Sequence, residues 1–203
     1  LTNTFETIIQ GILEDGYGIT DNFITPAEVA ALASQLHQRR DAGRFKAAGT
    51  GNQQVSVEYA VRGDEILWLD SATTTPIEIA FLLRISEFMA YINQTCYLGL
   101  RDVEFHYAIY PTGTFYKRHL DQFKSDSRRK LSVICYLNID WHEADGGQLA
   151  LYLPGITSDV ERQITISPMG GRLVCFESDL LPHEVLPATH DRLSVTGWLK
   201  TGL

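Results

Sequence analysis

The run Arg192-Leu193-Ser194-Val195-Thr196-Gly197-Trp198-Leu199 decides how this chain is read. It alternates polar and apolar in strict period two, which is the signature of extended chain with one face buried. Arg192, Ser194, Thr196 and Trp198 share one side; Leu193, Val195 and Leu199 share the other. On an outward-facing strand a polar side is ordinary surface. Inside a barrel it is costly, because a buried guanidinium needs an anion. A dicarboxylate suits that need, since the planar fork of arginine pairs with a carboxylate through two parallel bonds.

The same period extends back through the C-terminal half. Strands are predicted over residues 103–110, 115–120, 131–138, 148–153, 163–166, 172–177, 183–186 and 192–199. Eight short strands separated by turn signals predict a double-sheet jelly roll, or double-stranded β-helix. The N-terminal half reads differently. Phe5, Ile8, Ile9 and Ile12 recur at helical spacing over 4–13. Thr25-Pro26 and Thr75-Pro76 each place a capping residue ahead of a proline at the first helical position. The helix after Thr25 carries Val29, Leu32, Ala33 and Leu36 and ends near Gly43; the helix after Thr75 carries Ile79, Leu82, Leu83, Ile85, Phe88, Met89 and Ile92. Short strands are predicted at 17–20, 53–60 and 66–69. The fold class is therefore mainly β with flanking helices, which are expected to cover one outer face of the larger sheet. A single domain is expected over 1–203. Residues 1–95 would supply helical support, a lid loop and first strands, and 96–203 the jelly-roll core. Residues 44–58 form a long polar stretch of the kind that often serves as a lid.

Bulk properties narrow the function classes. The 203 residues carry a net charge of −8, with 44% hydrophobic and 21% charged residues. This balance is that of an ordinary globular chain. Non-specific nucleic-acid binding depends on Lys and Arg neutralising phosphates, so an acidic chain disfavours nucleic acid as a partner. No run is apolar enough for a membrane span and no signal peptide is evident. Cys96, Cys135 and Cys175 are far apart and form no CxxC pair, so inert thiols in a reducing, cytoplasmic setting are expected. The stretch 124–130 is basic, and on an acidic protein it is a candidate attractor for an acidic peptide.

His119-Leu120-Asp121 is the central chemical motif. On extended chain, residues i and i+2 point to one side with Cα atoms roughly 7 Å apart. The two side chains could meet one ion while Leu120 points into the core. His183, which follows Pro182 and begins a new apolar segment, is the candidate third ligand. Two imidazoles and one carboxylate on one face of an octahedron leave positions open, the arrangement of non-haem iron(II) oxygenases. Zinc is the competing metal. Of the other histidines, His37, His142 and His190 are expected to be surface or satisfied polar groups. His106, two residues after Glu104 on a strand, is expected to be packed or hydrogen-bonded.

The sequence resembles the 2-oxoglutarate oxygenases, and within them the prolyl hydroxylases that act on hypoxia-inducible factor, with their bacterial homologues. The resemblance rests on pieces in order along nearly the whole chain: Asp21-Asn22-Phe23, Arg62-Gly63-Asp64-Glu65-Ile66-Leu67-Trp68, Tyr110-Pro111 ahead of the H-L-D triplet, Tyr136-Leu137-Asn138-Ile139-Asp140-Trp141 followed by Gly146-Gly147, Pro182-His183-Glu184-Val185, and the final R-x-x-x-T-x-W strand. It implies iron(II) held by His119, Asp121 and His183, with 2-oxoglutarate and dioxygen as co-substrates and ascorbate as reductant. It implies that Arg192 pairs with the distal carboxylate of 2-oxoglutarate, that the Tyr136 hydroxyl bonds the same group, and that Tyr110 and Thr196 line its pocket. It places Arg129, Trp198 and Tyr116 near the target proline. The interval from Tyr110 to His119 is one residue shorter than in the animal enzymes. The partner implied is a protein bearing a target proline, with elongation factor Tu a candidate. Alternatives are an oxygenase of the same class acting on a free amino acid or other small molecule, and a jelly-roll binding module without chemistry.

Overall fold

The N-terminal helices form because their apolar residues fall on single stripes and their ends are capped. Helix α1 (Thr2–Asp15) buries Phe5, Ile8 and Ile9, and strand β1 (Tyr17–Thr20) follows it. Helix α2 (Pro26–Asp41) opens on Thr25, whose hydroxyl accepts from the Glu28 amide while the Glu28 carboxylate accepts from the Thr25 amide at 2.7 Å. This reciprocal box satisfies two otherwise orphaned donors. Helix α3 (Pro76–Cys96) makes half of such a box, with the Thr75 amide donating to Glu78 at 2.6 Å. Arg84 ties α3 to α2 through Glu28, and Arg39 ties α2 to the buried Glu78. The computed structural model describes residues 2–49, 57–122, 126–155 and 160–202.

Between α2 and α3 lie β2 (Lys46–Ala47) and β3 (Glu65–Trp68); β2 falls inside the stretch read as loop, as a two-residue edge pairing. The strand expected over 53–60 is not borne out where it is described. Residues 57–58 are irregular and 59–60 are a turn, and 53–56 lie outside the described residues. The C-terminal half then runs β4 (Leu100–Tyr110), β5 (Tyr116–His119), β6 (Arg129–Tyr136), β7 (Leu149–Leu153), β8 (Arg162–Ile166), β9 (Leu173–Glu177), β10 (His183–Val185) and β11 (Arg192–Thr201). Each of the eight predicted strands corresponds to one of these.

The strands form two antiparallel sheets, β1-β9-β6-β11-β4-β3-β2 and β5-β10-β7-β8. Alternation sorts the major sheet into two faces. Phe105, Tyr107 and Ile109 of β4, Leu131, Val133 and Cys135 of β6, Leu173 and Cys175 of β9, and Val195 and Leu199 of β11 pack with the three helices in one core. Ala108, Tyr110, Ile134, Tyr136, Val174 and Phe176 face the minor sheet, meeting Leu149, Leu151 and Val185 in a second core. The helices thus seal one face, and the other becomes the inner wall of a jelly roll.

Gly197 shows how tightly the helix-side face is filled. A Cβ there would lie 2.2 Å from the Glu104 carbonyl oxygen and 2.5 Å from the Phe105 ring. Neither the backbone of β4 nor a core phenylalanine can retreat cheaply. Gly197→Ala is expected to destabilise the fold by about 3 kcal/mol, the upper part of the usual overpacking range. Urea denaturation of the two proteins checks this, and an unchanged midpoint would contradict the packing described.

Candidate active site

β5 and β10 pair so that His119 lies directly opposite His183. That register brings together two imidazoles 64 positions apart in sequence, with ring centroids 4.3 Å apart. Asp121 completes the cluster just past the end of β5. Its Oδ1 is 3.4 Å from Nε2 of His119 and 3.6 Å from Nε2 of His183. All three ligand atoms lie within 4.8 Å of one another. In both histidines the other nitrogen faces a backbone carbonyl. Nδ1 of His119 donates to Lys117 O at 2.7 Å, and Nδ1 of His183 to Leu181 O at 3.1 Å. Those bonds put the protons on Nδ1 and leave the Nε2 lone pairs aimed at the common point.

Electrostatics keeps the ligands in binding form. Burial would raise the Asp121 carboxyl, but the imidazoles of His183 and His119 and the Ser132 hydroxyl outweigh it and hold the group well below the usual carboxylate range. Burial pushes His183 down to about 4, so it is neutral at neutral pH. Ser132 donates to Asp121 Oδ2 at 2.7 Å and shares a bond with Ser178 at 2.9 Å, which fixes the carboxylate plane. Ser132 escaped the sequence reading although it stands on the same face of its strand as Ile134 and Tyr136; that alternation was the available signal. Leu120 departs from expectation. It is 45% exposed and borders the cavity, not the core, because the strand ends at His119 and the chain turns away there.

The cluster opens on a cavity of about 310 Å³ between the two sheets. Its lining includes Arg192, Tyr110, Thr196, Tyr116, Arg129 and Trp198, all named from sequence. Tyr136, fully buried, lies beneath Arg192 with its ring 4.9 Å from the guanidinium carbon. Arg192 is 1% exposed. Its Nε donates to Gly147 O at 2.8 Å, a carbonyl carried by a residue at φ +67°, where glycine alone sits without strain. No carboxylate among the described residues pairs with Arg192, and both its Nη2 and the Tyr136 hydroxyl are buried without a partner. Such orphans are rare in folded proteins and mark a place where something else binds. Ser194 bonds to the Thr196 hydroxyl at 3.0 Å.

Tyr116 stacks on His119 at 3.5 Å and carries the Arg62 guanidinium 4.2 Å above its ring. Arg62 forms a two-bond pair with the buried Asp64 and donates to Gly49 O at 3.2 Å, so the described start of the long polar stretch reaches the cavity rim. Opposite, Arg129 lies 3.4 Å over the Trp198 ring and pairs with Glu104. In the basic stretch 124–130, the described cations are partly engaged, Arg128 with Asp126 and Arg129 with Glu104; Lys124 lies outside the described residues.

A family profile described as the 2OG-Fe(II) oxygenase superfamily matches residues 105–200. A Pseudomonas putida prolyl-4-hydroxylase structure superposes with a TM-score of 0.86 at 35% identity, over 98% of this chain and 100% of that one. The chain belongs to the 2OG-Fe(II) oxygenase superfamily. A Trichoplax adhaerens prolyl hydroxylase, in complex with a hypoxia inducible factor oxygen degradation domain peptide fragment, gives a TM-score of 0.85 at 28% identity, over 98% of this chain and 90% of that chain. The hypoxia-inducible factor prolyl hydroxylase of Caenorhabditis elegans is 30% identical over 95% of this chain and 28% of its own length. Human Egl nine homolog 1 is 28% identical over 95% of this chain and 46% of its length. The oxygenase therefore spans less than half of these curated relatives. Membership implies iron(II), 2-oxoglutarate and dioxygen, and the site fits them. The two-histidine, one-carboxylate set suits iron(II), and the unpaired Arg192–Tyr136 floor suits a carboxylate.

Proposed function

We propose that this oxygenase is a prolyl 4-hydroxylase that oxidises a proline in a target protein. The observation that carries this reading is one cavity holding the His119–Asp121–His183 cluster over a floor where Arg192 Nη2 and the Tyr136 hydroxyl lack partners among the described residues. Support for the proline comes from similarity to the prolyl hydroxylases of Pseudomonas putida and Trichoplax adhaerens over almost the whole chain. His119, Asp121 and His183 hold the iron. Arg192 and Tyr136 receive the far carboxylate of 2-oxoglutarate, with Tyr110 and Thr196 beside them. Tyr116, Arg129 and Trp198 border the proline. Iron, 2-oxoglutarate and dioxygen together supply the oxidant that converts a C–H bond to C–OH, with succinate and carbon dioxide as co-products. The protein's part is to orient these groups and exclude water. Ile66, Ile134, Leu149 and Val185 give the cavity apolar walls, and a dry cavity suppresses side reactions of a reactive centre.

Ascorbate is the reductant we propose for keeping the iron ferrous. Elongation factor Tu is the candidate substrate carried by the resemblance to bacterial homologues, and the setting we propose is the cytoplasm, consistent with three free cysteines. The test is mass spectrometry of proteins from cells with and without the active enzyme. A one-oxygen gain on proline that depends on the enzyme is expected. Succinate production with free amino acids and no oxidised protein proline would reject the protein-substrate reading.

Ser132→Ala gives a second check. Losing an outer partner of a ligating carboxylate usually costs about 10–100-fold in metal affinity. A loss of that order, with fold intact by circular dichroism, is expected in iron(II) titrations. Unchanged affinity would remove Ser132 from the design.

A further inference from the structure

His106 is expected from sequence to be packed or hydrogen-bonded, and only the packing holds. It is 4% exposed and borders the active-site cavity. Its ring packs against two tryptophans that also touch each other, 4.8 Å from Trp68 and 5.6 Å from Trp198. Nδ1 is buried without a partner, and Nε2 also has no hydrogen bond among the described residues. The side chain directly across on β11, Thr196, is engaged with Ser194. The Trp198 indole N–H beside it likewise lacks an acceptor. A buried polar side chain left this way costs stability unless it serves a ligand.

The chemistry of the wall says which ligand. Burial pushes the His106 pKa down to about 4, so the ring is neutral and carries one proton. A neutral imidazole donates from one nitrogen only, and an N–H is least costly where a partner can reach it. Nδ1 is sealed, so the proton belongs on Nε2, the edge that meets the cavity. The neighbouring tryptophans offer no side-chain acceptor, and the Trp198 N–H is sealed like Nδ1.

We propose that His106 is a specificity-determining residue that reads the tertiary amide of an X–Pro bond by donating from Nε2 to its carbonyl oxygen. Such an amide has an acceptor and no N–H, which matches a side chain that offers one N–H and no acceptor. The secondary amide of any other residue would bring an N–H that the His106 edge leaves unpaired. The inference rests on the prolyl-hydroxylase reading and names how that substrate is chosen.

The test uses the full chain loaded with iron(II) and 2-oxoglutarate under anaerobic conditions. It is offered three peptide pools with random flanks and a fixed central proline, N-methylalanine or alanine, and captured peptides are counted by mass spectrometry. Wild type is expected to prefer both tertiary amides over alanine by about tenfold, the size of one net hydrogen bond. His106→Leu is expected to lose that preference while its melting temperature holds or rises, since an unpaired buried polar group has been removed. His106→Gln, which keeps a side-chain N–H, is expected to retain most of it. A His106→Leu protein that keeps full preference overturns the assignment, as does a preference for proline without N-methylalanine. No capture from any pool by wild type overturns the protein-substrate reading and this inference together.

Discussion

His119→Ala is expected to abolish succinate formation and to lower iron(II) affinity by more than the ~10–100-fold that follows loss of an outer-shell partner. The size follows from the construction of the site. His119 supplies one of only three ligand atoms among the described residues. Its Nε2 is held on the common point by the Nδ1 bond to Lys117 O and by the stacked Tyr116 ring. No other histidine joins the cluster among the described residues. Asp121→Ala should behave likewise, because it removes the only carboxylate among the described residues that faces both imidazoles. Equilibrium dialysis with iron(II) and a succinate assay read the two effects separately. A folded His119→Ala protein with wild-type iron affinity would falsify the metal assignment.

Arg192→Ala is expected to weaken 2-oxoglutarate binding by at least about thirtyfold. Truncating one partner of a buried, hydrogen-bonded charge pair costs about 2–5 kcal/mol, and each 1.4 kcal/mol is about tenfold. Arg192→Lys should not restore binding, because an ammonium lacks the planar fork and cannot keep the bond to Gly147 O in the same geometry. A thermal readout separates this from misfolding. A ligand that binds only the native state raises the melting temperature, so 2-oxoglutarate should stabilise wild type and leave Arg192→Ala nearly unmoved. Equal ligand-induced shifts in the two proteins would reject the anchor role.

Most of the architecture was legible because it follows from alternation. Leu193, Val195 and Leu199 face the helices and Arg192, Thr196 and Trp198 face the cavity as period two requires. The proline-led caps at Thr25 and Thr75 also appear where the local chemistry predicts them. Failures cluster where local pattern stops governing. Leu120 was placed in the core by extending the strand one residue too far. The two-residue β2 carries too little sequence to signal an edge pairing. Arg62 and Trp68 stood in a motif without a role, because what they touch, Tyr116 and His106, belongs to other strands.

By itself the sequence determined the strand periodicity, the helix starts, the H-x-D pair and the side of β11 on which Arg192 lies, since each depends on neighbours a few positions away. Tertiary structure alone decided that His183 sits opposite His119 and that Ser132 fixes Asp121, and that, among the described residues, Arg192 is buried with no anion and His106 is packed without a hydrogen bond. Those facts depend on register between distant strands and on the depth at which a side chain is enclosed. Neither quantity is encoded by any short stretch of chain.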